Sequence, residues 1–228
     1  YDKYLASGGK LSRGDWRRKQ VDDFVERVYK GTKQIKKHVK FGISPFGIYR
    51  PGMPEGIKAG IDQYDQLYAD CLKWFQKGWC DYLTPQLYWP IKQEAQSYTK
   101  LLDWWGQQNT ANRHLWVGNY VSQVGSNNPN WSVQEIVDQI EETRKRSAGG
   151  NIHFSMKAFS QDFKGMVGAL KRGVYRDKVL PPASPWLATG TPAKPEVRKV
   201  QWIDGRARLT FRRSRKVQWI DGRARLTF

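Results

Sequence analysis

Residues 81–89 have the sequence DYLTPQLYW, and this stretch decides how the rest of the chain is interpreted. Its apolar centre predicts a buried strand, which Pro90 ends. The strand closes on Gln86, Tyr88 and Trp89, which combine one side-chain amide with two aromatic rings. A buried strand with such an end is typical of a sheet that presents a binding site along one edge.

Three further segments repeat this design, in which an apolar run is followed by a loop and then by an amphipathic pattern. Strands are predicted at 41–47, 81–89, 115–120 and 151–158, and helices at 15–40, 64–79, 94–107, 132–146 and 162–175, with Asp15 and Ser132 as N-caps of the first and fourth helix and residues 1–13 as a loop. Alternating strands and helices, with strands that are apolar almost throughout, predict a parallel sheet covered by helices.

The fold class predicted from this alternation is α/β, and specifically the C-terminal half of a (β/α)8 TIM barrel over residues 1–187. A complete barrel needs about 250 residues. Because only four strand–helix units are visible, we expect earlier strands to lie upstream of Tyr1. A doubly wound open sheet is the alternative, but no Gly-rich phosphate loop follows any predicted strand.

The remaining residues are predicted to form a linker at 188–197 and a truncated, basic, β-rich tail at 198–228. The sequence RKVQWIDGRARLTF at 198–211 recurs without change at 215–228. Its alternating pattern around Asp-Gly predicts a β-hairpin. Perfect identity of the two copies favours a duplication or a sequence-assembly artefact, and a genuine short basic repeat is the alternative.

The net charge of +18 is unevenly distributed, since residues 191–228 contribute +8 and residues 1–190 contribute +10. A basic surface suits nucleic acid, anionic lipid or an acidic polysaccharide. The basic residues of the first part are scattered over 14–40, 144–146 and 171–178, which favours a solvated basic surface. We therefore expect no nucleic-acid partner, and no apolar run is long enough for a membrane span.

The two cysteines, Cys71 and Cys80, have no nearby cysteine or histidine at the spacing of a metal site. Both lie in apolar sequence, so they are interpreted as small buried hydrophobic residues. The sequence predicts neither a metal site nor a cofactor.

The carboxyl ends of the strands, where barrels of this kind carry their function, combine amides, hydroxyls and aromatic rings. The candidate substrate-binding residues are Ser44, Phe46, Arg50, Gln86, Tyr88, Trp89, Asn119, Tyr120 and Ser155. Sugars present many hydroxyls and one apolar face, so amides and hydroxyls would bind the former while rings stack on the latter. Arg50 is suited either to meeting a carboxylate or to stabilising its loop.

Carboxylates are missing from these four predicted strand ends. Glycoside hydrolysis normally uses two of them, one as the acid and one as the nucleophile or base. Glu55 and Asp62 in the loop after the first strand are the nearest, whereas Asp81 is at the opposite end of its strand. The catalytic carboxylates of a glycosidase with this sequence are therefore expected upstream of Tyr1.

Seven segments in order resemble the glycosyl-hydrolase-like 10 family: Asp15–Arg18, Phe41–Gly52, Tyr68–Asp70, Asp81–Trp89, Leu101–Trp105, Gly150–Ser155 and Pro182–Leu187. They are distributed over most of residues 1–187, so the resemblance is specific. It implies a bacterial TIM-barrel glycosidase, secreted, periplasmic or lipid-anchored, that acts on polysaccharide, with peptidoglycan glycan strands as one substrate. It also implies an acidic Asp-Asp-Tyr type motif before the point at which this chain begins, and a fibronectin-III-like start for the tail.

The favoured hypothesis is a glycoside hydrolase of which this chain supplies substrate-binding strand ends and is inactive alone. A non-catalytic carbohydrate-binding protein is the alternative. A basic-surface binder of an anionic polymer is the third hypothesis, and it requires clustered basic residues and an affinity that falls steeply with salt.

Overall fold

The computed structural model describes residues 1–146, 148–187, 197–211, 216–220 and 223–227. The chain divides into two compact units, Tyr1–Leu187 and Ala188–Phe228. Residues 188–196, which make up nearly all of the predicted linker, lie outside the described residues. Within the described ranges, no helix combines the length and the apolar character needed to cross a lipid bilayer.

The first unit alternates helices with short strands. Its helices are α1 (Asp2–Ala6), α2 (Arg13–Ile35), α3 (Gln63–Gln66), α4 (Cys71–Gln76), α5 (Tyr98–Gln107), α6 (Val133–Lys145), α7 (Met156–Ser160) and α8 (Met166–Arg172), and its strands are β1 (Gly42–Ile43), β2 (Tyr82–Leu83), β3 (His114–Asn119) and β4 (Gly150–His153). Single 3-10 turns lie at Glu94–Gln96, Val121–Gly125, Phe163–Gly165 and Pro185–Leu187.

The four strands form one parallel sheet in chain order, β1-β2-β3-β4. Beyond the ends of β1 and β2, isolated parallel bridges continue the pairing of the main chains. One joins Phe46 to Gln86, and another joins Gln86 to Gly118 of β3. The predicted mixed α/β class with a parallel sheet is therefore confirmed. In this sheet each strand pairs with the next strand along the chain, and this order is compatible with part of a TIM-barrel domain.

The two faces of the sheet differ, because successive side chains of a strand point to opposite sides. Leu83 and Val117 are buried in the main hydrophobic core, together with Phe75 of α4 and Trp105 of α5. The opposite face carries Tyr82 and Trp116, whose rings stack with centroids 4.5 Å apart. A second core cluster joins α6 to α8 through Ile136, Ile140, Met166 and Leu170.

Several predicted element boundaries are wrong. The helix predicted at 64–79 is two short helices, since Tyr68 has φ of 55° and Asp70 caps α4 by accepting from the main-chain N–H of Lys73. The helix predicted from Glu94 begins at Tyr98, after the Ser97 cap. A polar side chain that caps a main-chain N–H starts a new helix in each case.

Four further features of the secondary structure also differ from the prediction. The strand predicted at 151–158 ends at His153 and is followed by α7, and the last helix is a 3-10 turn followed by α8. Residues 2–6 form α1 within the predicted loop, and the cap of α2 is Ser12, whose hydroxyl accepts from the N–H of Asp15 at 3.0 Å. Ser132 caps α6 as predicted, accepting from the N–H of Glu135 at 3.0 Å.

At the amino-terminal edge of the sheet, Asp81 is fully buried and binds three separate segments. Its carboxylate accepts from the N–H of Phe41 at 2.7 Å and from the indole N–H of Trp186 at 2.8 Å, and it forms an ion pair with Lys33. His114 lies beside the Trp186 ring, with centroids 4.8 Å apart. The segment after α8 is thus anchored beneath the sheet.

The second unit consists of two antiparallel hairpins, β5 (Val197–Ile203) with β6 (Arg206–Phe211) and β7 (Lys216–Ile220) with β8 (Arg223–Thr227). In the first, Asp204 and Gly205 have φ of 50° and 72°, which a type I′ turn requires. The predicted Asp-Gly hairpin is therefore confirmed. The fibronectin-III-like assignment of this tail stays a prediction.

Candidate functional site

Ser44 and Gln86 meet at the carboxyl edge of the sheet. The amide nitrogen of Gln86 donates to the main-chain oxygen of Ser44 at 3.1 Å and lies 3.3 Å from its hydroxyl. Phe46 pairs with Gln86 across the bridge and is 44% exposed. Two polar groups and one ring from neighbouring strands are therefore presented at the same edge.

The ends of β2, β3 and β4 bring together Tyr88, Tyr120 and Phe154, which we call the aromatic cluster. Tyr88 and Tyr120 stack with centroids 4.8 Å apart and an angle of 29° between their planes. Phe154 lies 5.9 Å from each of them and is 52% exposed. Three rings from three strands thus form one partly exposed aromatic surface.

Burial raises the pKa of Tyr88, and the neighbouring Tyr120 adds to that effect. Tyr88 therefore remains a neutral phenol at physiological pH, able to donate a hydrogen bond. The edge of Trp131 packs against Tyr120, with centroids 6.1 Å apart and an angle of 74°. This buried indole thus connects the aromatic cluster to the second core cluster.

Arg50 is engaged by its own loop. Its guanidinium binds Asp62 at 3.1 Å and Asp65 at 2.6 Å, and it lies 4.5 Å from the centroid of the Tyr64 ring. Arg50 therefore meets two carboxylates at the start of α3, and its role in binding substrate stays a prediction. The loop after β1 is folded around this residue.

Trp89 and Asn119 lie deeper than the other candidates. Trp89 is half-buried against the main core, and its carbonyl accepts from Gln139 at 3.2 Å. Asn119 is fully buried on the helix side of β3, where its amide nitrogen donates to Tyr98 at 3.0 Å and to Gln139 at 2.9 Å. The side chain of Asn119 is therefore engaged within the fold.

Ser155 directly follows the aromatic cluster in sequence. Its main-chain N–H donates to the Ser122 hydroxyl at 2.9 Å, and the two hydroxyls lie 3.3 Å apart. This pair links the loop after β3 to the end of β4. Ser155 is thus next to the aromatic cluster but is shared with a neighbouring loop.

Sequence reasoning missed Glu135 and Gln139 on α6. A signal was present, because Gln139 interrupts the apolar stripe of Ile136 and Ile140. A polar residue at a buried helical position has to find hydrogen-bond partners inside the fold. Those partners belong to distant strands, which no local pattern identifies.

Several carboxylates lie in the loops and helix starts beyond the carboxyl ends of the strands, and among them Glu55 is exposed in the loop after β1. Asp62 and Asp65 are paired with Arg50. Glu135 accepts from the N–H of Ile91 and from the amide of Gln139, both at 2.8 Å. Burial raises the pKa of Glu135, although these hydrogen bonds oppose that effect. Asp62, Asp65 and Glu135 therefore already serve contacts within the chain.

Among the residues that the structure describes, no group of three or more histidine, cysteine, aspartate or glutamate side chains is arranged to hold a metal ion.

The sequence of the chain is similar to those of known bacterial proteins. The model of the family described as glycosyl hydrolase-like 10 matches residues 2–157. Glycosyl hydrolase YngK of Bacillus subtilis is 40% identical over 195 residues, which cover 82% of this chain and 38% of that protein. Glycosyl hydrolase DigH of Escherichia coli K12 is 32% identical over 148 residues, covering 62% of this chain and 33% of that protein. The chain thus spans between a third and two-fifths of the length of these curated relatives.

Proposed function

The chain belongs to the glycosyl hydrolase-like 10 family, and from that membership we propose that it is the sugar-binding part of a glycoside hydrolase acting on polysaccharide. The observation that carries the proposal is the aromatic cluster beside the Ser44–Gln86 pair, at the carboxyl edge of a parallel sheet. We further propose that this sheet is the C-terminal half of a TIM barrel, in which this edge is the active-site face.

In this proposal the exposed parts of the three rings bind the apolar face of a sugar, and the amide and hydroxyl beside them bind its hydroxyls. Tyr88, Tyr120 and Phe154 supply the apolar contact, and the neutral phenol of Tyr88 supplies a hydrogen-bond donor. Gln86 and Ser44 offer an amide and a hydroxyl that exchange their mutual contact for contacts with sugar hydroxyls. Hydrogen-bonding groups beside a flat apolar surface are what a pyranose ring requires.

The catalytic pair is proposed to come from residues upstream of Tyr1. Retaining and inverting glycosidases need two carboxylates on either side of the scissile bond, about 5–10 Å apart. Asp62, Asp65 and Glu135 are each held by contacts within the chain, which supports assigning acid and base elsewhere. The chain by itself then binds the substrate and does not cleave it.

We propose peptidoglycan glycan strands as the substrate, and a location outside the cytoplasm, secreted, periplasmic or lipid-anchored, where that polymer is found. The relatives named as glycosyl hydrolases are bacterial proteins, which supports a bacterial polysaccharide. Fractionation of cells that express the full-length protein tests the location, and recovery in the cytosolic fraction would contradict it.

The test of binding is titration of the chain with peptidoglycan glycan strands, followed by calorimetry. Tyr120→Ala is expected to weaken binding by at least about fivefold, because it removes the ring that Tyr88 stacks on. Phe24→Ala is the matched control, since this ring is 58% exposed on α2. Equal affinity of the Tyr120 variant and the wild type, with both folded by circular dichroism, would contradict the proposed surface.

Trp89→Ala separates binding from packing. If Trp89 contacts sugar, the variant stays folded and loses affinity; if it serves the core it packs against, the variant loses stability instead. Release of reducing ends by the full-length protein then tests catalysis. Binding without any cleavage of bacterial polysaccharides would favour the non-catalytic carbohydrate-binding alternative.

A further inference from the structure

A continuous set of buried and half-buried polar side chains crosses the helix side of the sheet beneath the aromatic cluster. At its centre is Gln139 of α6, which is fully buried. Its amide nitrogen donates to Glu135 at 2.8 Å and to the carbonyl of Trp89 at 3.2 Å, and its amide oxygen accepts from Asn119 at 2.9 Å. Asn119 in turn accepts from Asn151 of β4 at 2.8 Å. We call Glu135, Gln139, Asn119 and Asn151 the polar network.

Each strand that supplies a ring to the aromatic cluster is bound to this network beside that ring. Trp89, which accepts from Gln139, directly follows Tyr88. Asn119 directly precedes Tyr120, and the main-chain oxygen of Asn119 accepts from the N–H of Phe154 at 2.9 Å. Each of the three ring-bearing residues is therefore either hydrogen-bonded to the polar network through its own main chain or next to a residue that is.

Gln139 contacts the loop after β2 at Trp89, and Glu135 contacts that loop at a second point. Its carboxylate accepts from the N–H of Ile91, three residues after Tyr88, and from Gln139. The loop after β2 is thus held at residues 89 and 91 by two side chains of one helix. Such a loop keeps its conformation because both contacts have to break before it moves.

We propose that Glu135 and Gln139 are positioning residues that hold Tyr88 against Tyr120 and Phe154 and so set the geometry of the sugar-binding surface. This inference rests on the proposed function for the ligand, whereas the positioning itself is a property of the fold. Neither residue touches the sugar. An aromatic surface made by rings from three separate segments needs such support, since binding sites depend on side chains whose rotamers are fixed by packing and by hydrogen bonds behind them.

Substitutions on α6 separate positioning from general stability. Gln139→Leu keeps the approximate size of the side chain and removes its hydrogen bonds, and Gln134→Leu makes the same change at an exposed position of the same helix. Glu135→Ala removes the contact with Ile91, and Glu135→Gln keeps an oxygen that can accept it. Glu141→Ala is the exposed control for Glu135→Ala.

Two measurements are made on the whole chain, at a temperature where circular dichroism shows each variant folded. Amide hydrogen exchange at Ile91 needs no ligand, and we expect about tenfold faster exchange in Glu135→Ala with recovery in Glu135→Gln. Affinity for peptidoglycan glycan strands is expected to fall about tenfold in Gln139→Leu and Glu135→Ala. Both controls and Glu135→Gln are expected to match the wild type.

The two measurements distinguish failure of this inference from failure of the proposed function. Unchanged exchange at Ile91 in Glu135→Ala, or wild-type affinity in that folded variant, overturns the positioning role. If the wild type itself binds no glycan while exchange responds as expected, the polar network positions the loop and the proposed ligand is wrong. Should Gln139→Leu fail to fold, the comparison of Glu135→Ala with Glu135→Gln decides the question alone.

Discussion

Replacing Trp186 by phenylalanine tests how the segment after α8 is attached to the sheet. The substitution keeps an aromatic ring next to His114 and removes the indole N–H that donates to Asp81 at 2.8 Å. Asp81 is fully buried, so water cannot replace the lost donor without opening the fold. Its remaining contacts, with Lys33 and the N–H of Phe41, stay in place.

The expected cost follows from the charge of the acceptor. A hydrogen bond to an ionised group contributes about 1.5–3 kcal/mol to stability, more than a bond between neutral groups. Because the partner charge of Lys33 remains, we expect a loss of about 2 kcal/mol in the free energy of unfolding. For a unit of this size that loss lowers Tm by about 4–8 °C.

Urea unfolding followed by far-ultraviolet circular dichroism measures this loss. The matched control is Trp202→Phe, the same chemical change at a side chain that is 75% exposed on β5. The control is expected to change the free energy of unfolding by less than about 0.5 kcal/mol. A Trp186 variant as stable as this control would refute the reasoning, because the buried carboxylate would then not depend on the indole.

Three further predictions concern titration, reactivity and close packing. Burial lowers the pKa of His153 to about 4, so the unfolded chain takes up the proton first as the pH falls. We therefore expect the free energy of unfolding to decrease between pH about 6.5 and about 4, by only about 1–2 kcal/mol since solvent around the partly exposed ring weakens the effect. Urea unfolding of His153→Gln at a series of pH values should lack this decrease. Burial raises the pKa of the Cys80 thiol to about 12 and raises that of Cys71 as well, so neither thiol should react with Ellman's reagent at pH 8 until denaturant is added. Rapid reaction of one thiol equivalent in native buffer would contradict the burial of these cysteines. A Cβ on Gly47 would lie 2.2 Å from a main-chain oxygen, so Gly47→Ala is expected to cost about 3 kcal/mol, whereas Gly60→Ala, with nothing within 4 Å, should cost less than about 1 kcal/mol in the same urea assay.

The candidate site was predictable to the extent that it depends on strand ends. Ser44, Gln86, Tyr88 and Tyr120 follow apolar runs, and the structure brings them to one edge in two neighbouring groups. The sequence did not separate Asn119 from Tyr120, which are adjacent and point to opposite sides of the strand. Only the register shows that Asn119 faces the helices.

Helix limits were less predictable than helix positions. The apolar spacing from residue 64 to 79 favours one helix, yet Tyr68 adopts a left-handed conformation and Asp70 starts a new helix. The capping-box pattern at 132–135 is local and predicts Ser132 as the N-cap of α6. The N-cap of α2 is Ser12, whereas the sequence favours Asp15. Competing caps differ by a fraction of the energy of one hydrogen bond, which periodicity does not resolve.

The sequence by itself determined the order of strands and helices, their parallel arrangement and the Asp-Gly hairpin, because spacing of apolar residues and turn chemistry act over a few residues. Tertiary structure alone decided which side chains meet. Trp186 binds Asp81 across 105 positions of the chain, and Gln139 binds Trp89 across 50. Such contacts depend on register and on the packing of α6 against the sheet. The residues of the aromatic cluster could therefore be predicted from the sequence, whereas Glu135 and Gln139, which contact the loop after β2, could not.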